Sequence, residues 1–256
     1  NILAGNKPGV APPAVPFKWA DLQAAALTTV MGTETTPSLV TYLRGNRTYE
    51  QGDDPLYRKR AFLLGDIVNS NPTVVGPAID HGYAKLANKT LADAYVTYLN
   101  GKRERGEGLV FIGANDGMLH AFRESDGREV FAYVPHAVLP IINQLARKEY
   151  VHRYFVDGPT SQGDFHNGTT WRTALIATAG AGAKSVFAID ATTNTLDASS
   201  VLWEIHTGID AYRDILGNVL SEVQTGRLMG SRWGAVFGNG YYSAEGKAQL
   251  LIVDLK

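Results

Sequence analysis

Histidine is the residue of this chain best suited to acid–base or metal chemistry, but its six copies lie in no pattern that such chemistry requires. Zinc sites usually show two ligands at short spacing, as in His-Glu-x-x-His, and no such spacing occurs. Cysteine is absent, which removes disulfides, thiolate ligands and thiol nucleophiles. His120 alternates with apolar residues and is predicted to line one face of a strand. The six are His81, His120, His136, His152, His166 and His206.

Serine and glycine-rich segments give equally little support for catalysis. The chain has no Gly-x-Ser-x-Gly elbow, and nothing in the sequence predicts an activating base for Ser161 or Ser185. Residues 180–185 are similar in composition to a phosphate-binding loop. However, Ala183 stands where the glycine before the lysine belongs, and the segment lies between two predicted strands. We therefore predict a turn there, and neither catalytic nor cofactor-binding residues in this chain.

Two acidic segments could offer oxygen ligands to a hard cation. Asn115-Asp116-Gly117 supplies a single carboxylate, whereas calcium prefers six to eight oxygen ligands, and its composition favours a hairpin turn. Asp53-Asp54 lies in a polar stretch and is interpreted as part of a solvated loop. The sequence therefore predicts no metal site in this chain.

Composition predicts a turn-rich globular protein. The 256 residues are 45% hydrophobic and include 27 glycines, which is enough for a substantial core. A net charge of -1 without a long basic block argues against a nucleic-acid binder driven by phosphate neutralisation. No apolar run approaches the roughly 18 residues of a membrane span, and the first residues lack a signal-peptide pattern. Because Asn1 and Lys256 look like cut points, we expect a fragment of something larger.

The elements that must position these residues are predicted to be short β-strands. Residues 109–112, 118–122 and 129–134 are apolar runs rich in β-forming residues. Asn115-Asp116-Gly117 and Asp126-Gly127 separate them with residues that tolerate positive φ. This spacing predicts three consecutive antiparallel strands, which suit either a β-meander or most of one β-propeller blade.

Weaker copies of this pattern favour the propeller. The first strands of the three copies start at residues 109, 174 and 234, which is 65 and 60 residues apart and longer than the roughly 40 to 50 of simple blades. We therefore predict decorated blades, with the insertion at 206–230 lying outside the sheet. The remaining strands of the copies are predicted at 185–190, 201–205 and 249–255.

The regions around these copies are predicted to be a linker, two strands and four helices. Residues 1–16 carry four prolines and are predicted to be an extended linker or a wall-crossing arm. Residues 62–64 and 73–75 are predicted strands on either side of an Asn-Pro turn. Helices are predicted at 21–31, 37–43, 90–100 and 140–149, the third between a capping box at Thr90 and Gly101.

Several short motifs go beyond these patterns. In identity and order they closely resemble the C-terminal domain of the PilC/PilY family of type IV pilus biogenesis and tip-adhesin proteins. The resemblance runs from about Pro37 onward. The motifs are residues 39–45, 64–72, 110–135, 152–158, 171–173, 187–190 and 237–241.

The resemblance implies an all-β fold, a modified seven-bladed β-propeller with inserted helices, of which this chain would hold several blades. Residues 1–36 would then be the proline-rich linker and a short helix, and residues 37–256 the N-terminal part of the propeller domain. Relatives bind calcium in an Asp/Asn-rich loop. The resemblance therefore implies calcium for the full-length protein, in a loop beyond Lys256. Asn46, Asn88 and Asn167 match the glycosylation pattern, which we interpret as chance in a bacterial protein.

The resemblance also implies a non-enzymatic protein, exported through the periplasm and outer membrane to the pilus tip on the cell surface. It would act in pilus assembly, in retraction control and twitching motility, and in virulence through adhesion to host cells or surfaces. Its implied partners are the minor pilins of the tip complex and a host-cell receptor. We predict contact surfaces at 79–105, 135–151 and 205–228, because these insertions are long and irregular.

Two functions of other classes compete with this prediction. Quinone-dependent dehydrogenases of the pyrroloquinoline quinone type are also propellers with strand, Asp-Gly, strand repeats, and a fold does not fix a function. That alternative predicts a bound quinone and calcium, but the chain lacks paired cysteines and a tryptophan signature on every blade. A carbohydrate-binding propeller, with exposed Tyr and Trp stacking on sugars, is the other alternative.

Overall fold

A computed structural model describes every residue from 1 to 256, and its strands form three sheets that pack side by side. In chain order the strands are β1 (Ile2–Gly5), β2 (Ala14–Pro16), β3 (Thr73–Val75), β4 (Leu109–Ala114), β5 (Met118–Arg123), β6 (Glu129–Val134), β7 (Thr160–His166), β8 (Trp171–Thr178), β9 (Ser185–Asp190), β10 (Val201–His206), β11 (Gln224–Arg227), β12 (Trp233–Gly238) and β13 (Leu250–Asp254). The α-helices are α1 (Trp19–Ala24), α2 (Leu27–Met31), α3 (Pro37–Leu43) and α4 (Lys89–Glu104).

The first sheet contains the meander predicted at residues 109–134. β4, β5 and β6 are consecutive antiparallel neighbours, joined by the two predicted turns. β3 pairs with the other edge of β4 and completes a four-stranded blade. The full order of this sheet is β2-β1-β6-β5-β4-β3.

The two other sheets repeat the meander. The second has the order β7-β8-β9-β10, and the third has β11-β12-β13. The strands predicted to open the blades at residues 109, 174 and 234 are instead the second strands, β4, β8 and β12. β7 and β11 were not predicted from the sequence because neither contains an apolar run. Their sequences are Thr-Ser-Gln-Gly-Asp-Phe-His and Gln-Thr-Gly-Arg. β11 also corrects the prediction that 206–230 lies wholly outside the sheet.

The first strands of the three blades lie next to one another. The hydroxyl oxygens of Thr73 on β3 and Thr160 on β7 are 2.6 Å apart. On the other side of β7, Gly163 faces β11 so closely that an added Cβ would lie 1.7 Å from Thr225 Oγ1. The order β3, β7, β11 is that of innermost strands in consecutive propeller blades.

Hydrophobic side chains fill the two spaces between the three sheets. Neighbouring residues of a strand point to opposite faces. Leu175 of β8 therefore packs in a cluster with Phe131 of the first sheet, whereas Ile176 packs in a second cluster with Trp233 of the third. Burial on both faces explains why β8 and β9 read as nearly continuous apolar runs.

Residues 1–16 belong to the first sheet, so the prediction of a linker is wrong. β1 pairs in parallel with β6, and β2 folds back antiparallel on β1. Leu3 and Ala4 are at most 2% exposed and lie in the core. Pro8, Pro12 and Pro13 lie in the loop between β1 and β2, where proline removes no ladder hydrogen bond. Their density therefore marks a turn between two edge strands.

The N-terminal helices match the prediction in part. α3 has the predicted bounds, and Thr36 caps it by accepting a hydrogen bond from the Leu39 amide at 3.2 Å. The helix predicted over 21–31 is divided into α1 and α2. Ala26 adopts a φ of 54° between them, which no α-helix permits.

α4 is longer than predicted at both ends. Its cap is Asn88, which accepts from the Leu91 amide at 3.1 Å, and not Thr90. Gly101 lies inside the helix and not after it, because three further residues continue the helical hydrogen bonding. No helix of the chain is both long and apolar enough to cross a membrane. The helix predicted at 140–149 is a shorter 3-10 helix at Ile142–Ala146.

Candidate functional site

The Asn115-Asp116-Gly117 turn between β4 and β5 is the centre of a cluster of polar side chains. Ala114 and Met118 form the last strand pair, so the three residues make a tight hairpin loop, as predicted. Gly117 has a φ of 95°, a conformation that favours glycine. The turn thereby presents the Asn115 and Asp116 side chains to segments distant in the chain.

Asn115 is buried and uses both ends of its amide. Its Nδ2 donates to Asp66 Oδ2 at 3.1 Å and to Asp157 Oδ1 at 3.4 Å. Its Oδ1 accepts from the Phe155 amide at 2.9 Å, and its own backbone N–H donates to the Asp66 carbonyl at 3.0 Å. One side chain therefore connects the segments around Asp66 and Asp157 to the first blade.

Asp157 and Ser70 complete the connection. Asp157 is 1% exposed and accepts from the backbone amide of Asn69 at 3.1 Å and from the side-chain amide of the same residue. Ser70 Oγ accepts from the Gly113 amide of β4 at 2.9 Å. We call Asp66, Asn69, Ser70, Asn115, Asp116, His120 and Asp157 the polar node.

Three glycines allow the backbones to approach one another at the polar node. An added Cβ on Gly65 would lie 2.2 Å from the Asp116 nitrogen. On Gly113 it would lie 2.5 Å from the Val156 oxygen, and on Gly158 it would lie 1.9 Å from Thr178 Oγ1. Any larger side chain at these three positions would force the segments apart.

His120 is buried beside the turn, between two carboxylates. Its Nε2 lies 3.0 Å from Asp116 Oδ1, and its Nδ1 lies 2.6 Å from Glu129 Oε1. Burial lowers the pKa of His120, but the charge of Asp116 and the hydrogen bonds to both carboxylates outweigh burial and raise the pKa to about 9. The ring is therefore an imidazolium at neutral pH and donates from both nitrogens. Asp116 in turn accepts from the Gly65 amide at 2.9 Å.

Asp66 is the half-exposed edge of the node. His152 Nε2 lies 2.8 Å from Asp66 Oδ2. Burial raises the pKa of Asp66, but the hydrogen bonds from His152 and Asn115 and the charge of His152 outweigh burial and lower the pKa. Asp66 is thus a carboxylate at neutral pH.

A cavity of about 400 Å³ opens beside His120, between β5, the end of α3 and residues 60–66. Phe62, Leu63 and Leu64 line it and are 82%, 46% and 42% exposed. The prediction of a strand at 62–64 is wrong, because this segment is irregular. Hydrogen bonds of Gly65 and Asp66, and not a β-ladder, attach it to the β4–β5 hairpin. Phe62, Leu63 and Leu64 form a run of exposed apolar surface at the mouth of the cavity.

The side chains of the polar node are paired within the chain. Its carboxylates accept from amides and imidazoles of the chain itself, and its amides are likewise paired. No group of three or more His, Asp or Glu residues is placed to hold a metal ion. Asn115-Asp116-Gly117 forms the predicted turn, and its two polar side chains are paired within the chain.

Ser161 and Ser185 form structural hydrogen bonds, and residues 180–185 form a turn. Ser161 Oγ donates to the Val223 carbonyl at 2.6 Å, linking β7 to the segment before β11. Ser185 is buried, and its Oγ donates to Glu204 Oε1 at 2.9 Å. Gly180 has a φ of 58° in the turn between β8 and β9, so 180–185 is a turn, as predicted.

The other histidines do not gather into one site. His136 and His206 stack with ring centroids 4.8 Å apart, beside Glu204 of β10. The Glu204 carboxylate accepts from Tyr133 Oη at 2.8 Å and from the His136 amide at 2.7 Å. Glu204 thus links the first two blades, and no sequence pattern indicated it. His81 and His166 belong to the aromatic cluster around Trp171 and Tyr83.

The remaining polar candidates lie in turns or on the surface. Asp53 and Asp54 are exposed, as predicted. Asn46 accepts from the Thr48 amide and Asn167 from the Thr169 amide, at 2.8 and 3.0 Å, so both stabilise turns.

A buried ion pair between α4 and β7 was not predicted. Lys102 Nζ lies 3.1 Å from Asp164 Oδ1, and both side chains are fully buried. Tyr95 Oη donates to Asp164 Oδ2 at 2.8 Å. The available signal was the spacing of Tyr95, Leu99 and Lys102 on one helix face, which placed a lysine in the apolar stripe.

Known proteins match this chain over most of its length. The family model described as the PilY1 beta-propeller domain matches residues 64–256. The crystal structure of the Pseudomonas aeruginosa PilY1 C-terminal domain is similar, with a TM-score of 0.54 and 34% sequence identity over 71% of this chain and 34% of that chain. The all-β propeller prediction is thereby confirmed.

The curated relatives described below are both type IV pilus biogenesis factors. A type IV pilus biogenesis factor PilY1 homolog of Xylella fastidiosa is 38% identical over 231 residues, which is 88% of this chain and 15% of that protein. The type IV pilus biogenesis factor PilY1 of Pseudomonas aeruginosa strain PAK is 39% identical over 222 residues, which is 85% of this chain and 18% of that protein. The chain therefore spans less than a fifth of the length of these two relatives.

Proposed function

The chain belongs to the family of PilY1 β-propeller domains, and from that premise we propose that it is a rigid, non-enzymatic platform within a type IV pilus biogenesis factor at the pilus tip. There it would act with minor pilins in pilus assembly, in retraction control with its effect on twitching motility, and in adhesion and virulence. The relatives support this role through their description as type IV pilus biogenesis factors.

The observation that carries the proposal is the pairing within the polar node. Asn115, Asp116, His120 and Asp157 are buried or nearly so, and each is bound to other residues of the chain. Fully paired buried polar groups make an arrangement rigid and specific, which suits a platform. A pilus under tension requires such rigidity in its tip protein.

Adhesion requires an exposed surface, and the third blade offers one. Tyr241 and Tyr242 are 66% and 85% exposed, and Leu220 is 51% exposed. A β-bridge joins Asn218 to Tyr241, and Leu220 follows Asn218 by two residues in the chain. Tyrosine is enriched at protein interfaces because it combines a large apolar ring with a polar tip. Leu220 lies in the insertion 205–228, so this surface is our proposed contact with a host receptor or other surface.

We propose that calcium binding, which the family implies for the full-length protein, resides in residues other than those of the polar node. Export through the periplasm and outer membrane is likewise a proposal that the pilus context of the relatives supports.

The test uses a type IV piliated bacterium that lacks its own copy of the protein. It would be complemented with the full-length protein, either unchanged or with Tyr241→Ser and Tyr242→Ser together. The strain that lacks the protein is expected to lose surface pili. Both complemented strains are expected to regain them. Adhesion to cultured cells is expected to fall about tenfold in the serine variant, which corresponds to a loss of about 1.4 kcal/mol of binding free energy.

A Val10→Ser variant serves as the matched control, because Val10 is 47% exposed in the β1–β2 loop. It is expected to restore both pili and adhesion. Normal pili in the strain that lacks the protein would contradict the role in biogenesis. Normal adhesion of the tyrosine variant would contradict the contact surface.

A further inference from the structure

A polar cleft of about 510 Å³ lies between the end of α4, the start of β8 and the loop of residues 191–200. Only two of its 14 lining residues are hydrophobic. Its volume falls within the roughly 300–1,000 Å³ of small-molecule sites, but such sites are usually lined by apolar residues. The lining therefore suits a ligand that is polar over its whole surface.

The loop that forms one wall is fixed by hydrogen bonds of its own. The Thr192 amide donates to Asp190 Oδ1 at 3.0 Å, at the point where β9 ends. Asn194 Nδ2 donates to the Glu107 carbonyl at 3.0 Å, which ties the loop to the segment before β4. A wall that is already ordered lowers the entropy cost of binding.

Arg172 gives the cleft a charged donor group. Its guanidinium pairs with Asp190 through one terminal nitrogen. Its Nε is shielded from solvent and has no hydrogen-bond partner. Because this nitrogen is closed to solvent, the donors that a ligand can reach are the remaining terminal N–H groups of the side chain, which is 41% exposed. Arg105, exposed at the end of α4, adds further donors to the same cleft.

Acceptors and hydroxyl groups complete the lining. Asp190 and Asp197 balance the charges of the two arginines, and Thr193, Thr195 and Ser199 present exposed hydroxyls. Two carboxylates disfavour a phosphate or another multiply charged anion. Hydroxyls that both donate and accept, beside charged donors and acceptors, match a ligand with many hydroxyl groups.

We infer that this cleft binds a saccharide. The half-buried ring of Tyr98, which also lines the cleft, offers an apolar surface for the C–H face of a sugar ring. The site is separate from the Tyr241–Tyr242 surface and does not depend on the pilus role.

The test is a titration of the protein with maltose, lactose, N,N′-diacetylchitobiose and 3′-sialyllactose, followed by NMR or calorimetry, with inorganic phosphate as a separate arm. At least one saccharide is expected to bind. Arg172→Gln is expected to weaken binding at least about tenfold, because each lost tenfold corresponds to about 1.4 kcal/mol. Thr195→Trp is expected to abolish binding by filling the cleft. Thr195 is exposed, so this variant keeps the fold.

Arg213→Gln is the matched control, since Arg213 lies in an exposed pair with Asp210 elsewhere on the surface. It is expected to bind as the unchanged protein does. Absence of binding by all four saccharides would overturn the inference. Saccharide binding that survives Thr195→Trp, or tighter binding of phosphate than of any saccharide, would also overturn it.

Discussion

At the scale of single residues, His120 makes stability depend on pH. Its pKa in the folded protein is about 9, against 6.5 for an unperturbed histidine. Because the folded pKa is raised, the stabilisation is complete below about pH 6.5 and is lost as the pH rises through 9. One pKa unit corresponds to about 1.4 kcal/mol, so the effect is on the order of 2 kcal/mol after allowing for screening at the partly exposed Glu129.

The check is urea denaturation of the protein and of His120→Gln between pH 5.5 and 9.5. The difference in unfolding free energy should be largest at pH 5.5 and should shrink towards pH 9.5. His166→Gln is the matched control, because burial lowers the pKa of His166. The contribution of His166 should decrease as the pH falls. A His120 difference that does not change with pH would contradict the ion pairing described here.

Residue types predicted the turn at Asn115-Asp116-Gly117 but not the partners of its side chains. Turn chemistry is local, since φ preferences of Asn and Gly act within a few residues. Asp66 and Asp157 lie about 40 to 50 residues away in the chain, on either side of the turn. Only the stacking of the blades brings them together, and no spacing rule in one sequence encodes that.

At the scale of elements, α4 is attached to the second blade through the pair Lys102–Asp164. Removal of one partner leaves a buried charge uncompensated, which costs about 3–5 kcal/mol. Lys102→Met should therefore lower the unfolding free energy by about that amount. Lys89→Met is the matched control, because Lys89 is exposed in the first turn of the same helix. Its expected effect is within about 0.5 kcal/mol. Equal effects of the two changes in thermal or urea unfolding would contradict the buried pair.

A second prediction at this scale concerns the place of β1 in the first sheet. Leu3 is 2% exposed between β6 and the core, so Leu3→Ala should destabilise the protein by about 2–5 kcal/mol. Val10→Ala in the exposed loop should change little. If urea unfolding shows both variants to be as stable as the unchanged protein, residues 1–16 are a linker after all.

The elements with strong apolar periodicity were predicted well, and those without it were not. β4, β6 and β9 are hydrophobic on at least one face, and their positions follow from the pattern. β1 is four residues long beside a proline-rich loop, and its partner β6 lies about 130 residues away. Tertiary pairing thus overrode a local composition typical of linkers.

At the scale of the whole molecule, three blades pack in sequence and leave apolar side chains exposed beside the first blade and on the third. Ile67 and Val68 are 40% and 52% exposed beside the first blade. Leu250 and Ile252 of β13 are 68% and 57% exposed, on the face opposite the buried Leu251. The structural match covers 71% of this chain and 34% of the solved relative's chain. We expect further blades of such a domain to cover these surfaces.

The order of the blades is the central claim, and a cysteine cross-link tests it most directly. The chain has no cysteine of its own, so Thr73→Cys with Thr160→Cys introduces one possible disulfide. The hydroxyl oxygens of these residues are 2.6 Å apart, and we predict nearly complete cross-linking under mild oxidation, read by mass spectrometry. Thr73→Cys with Thr225→Cys should remain uncrosslinked, because β7 lies between β3 and β11. Cross-linking of the second pair, or none in the first, would contradict the propeller arrangement described here.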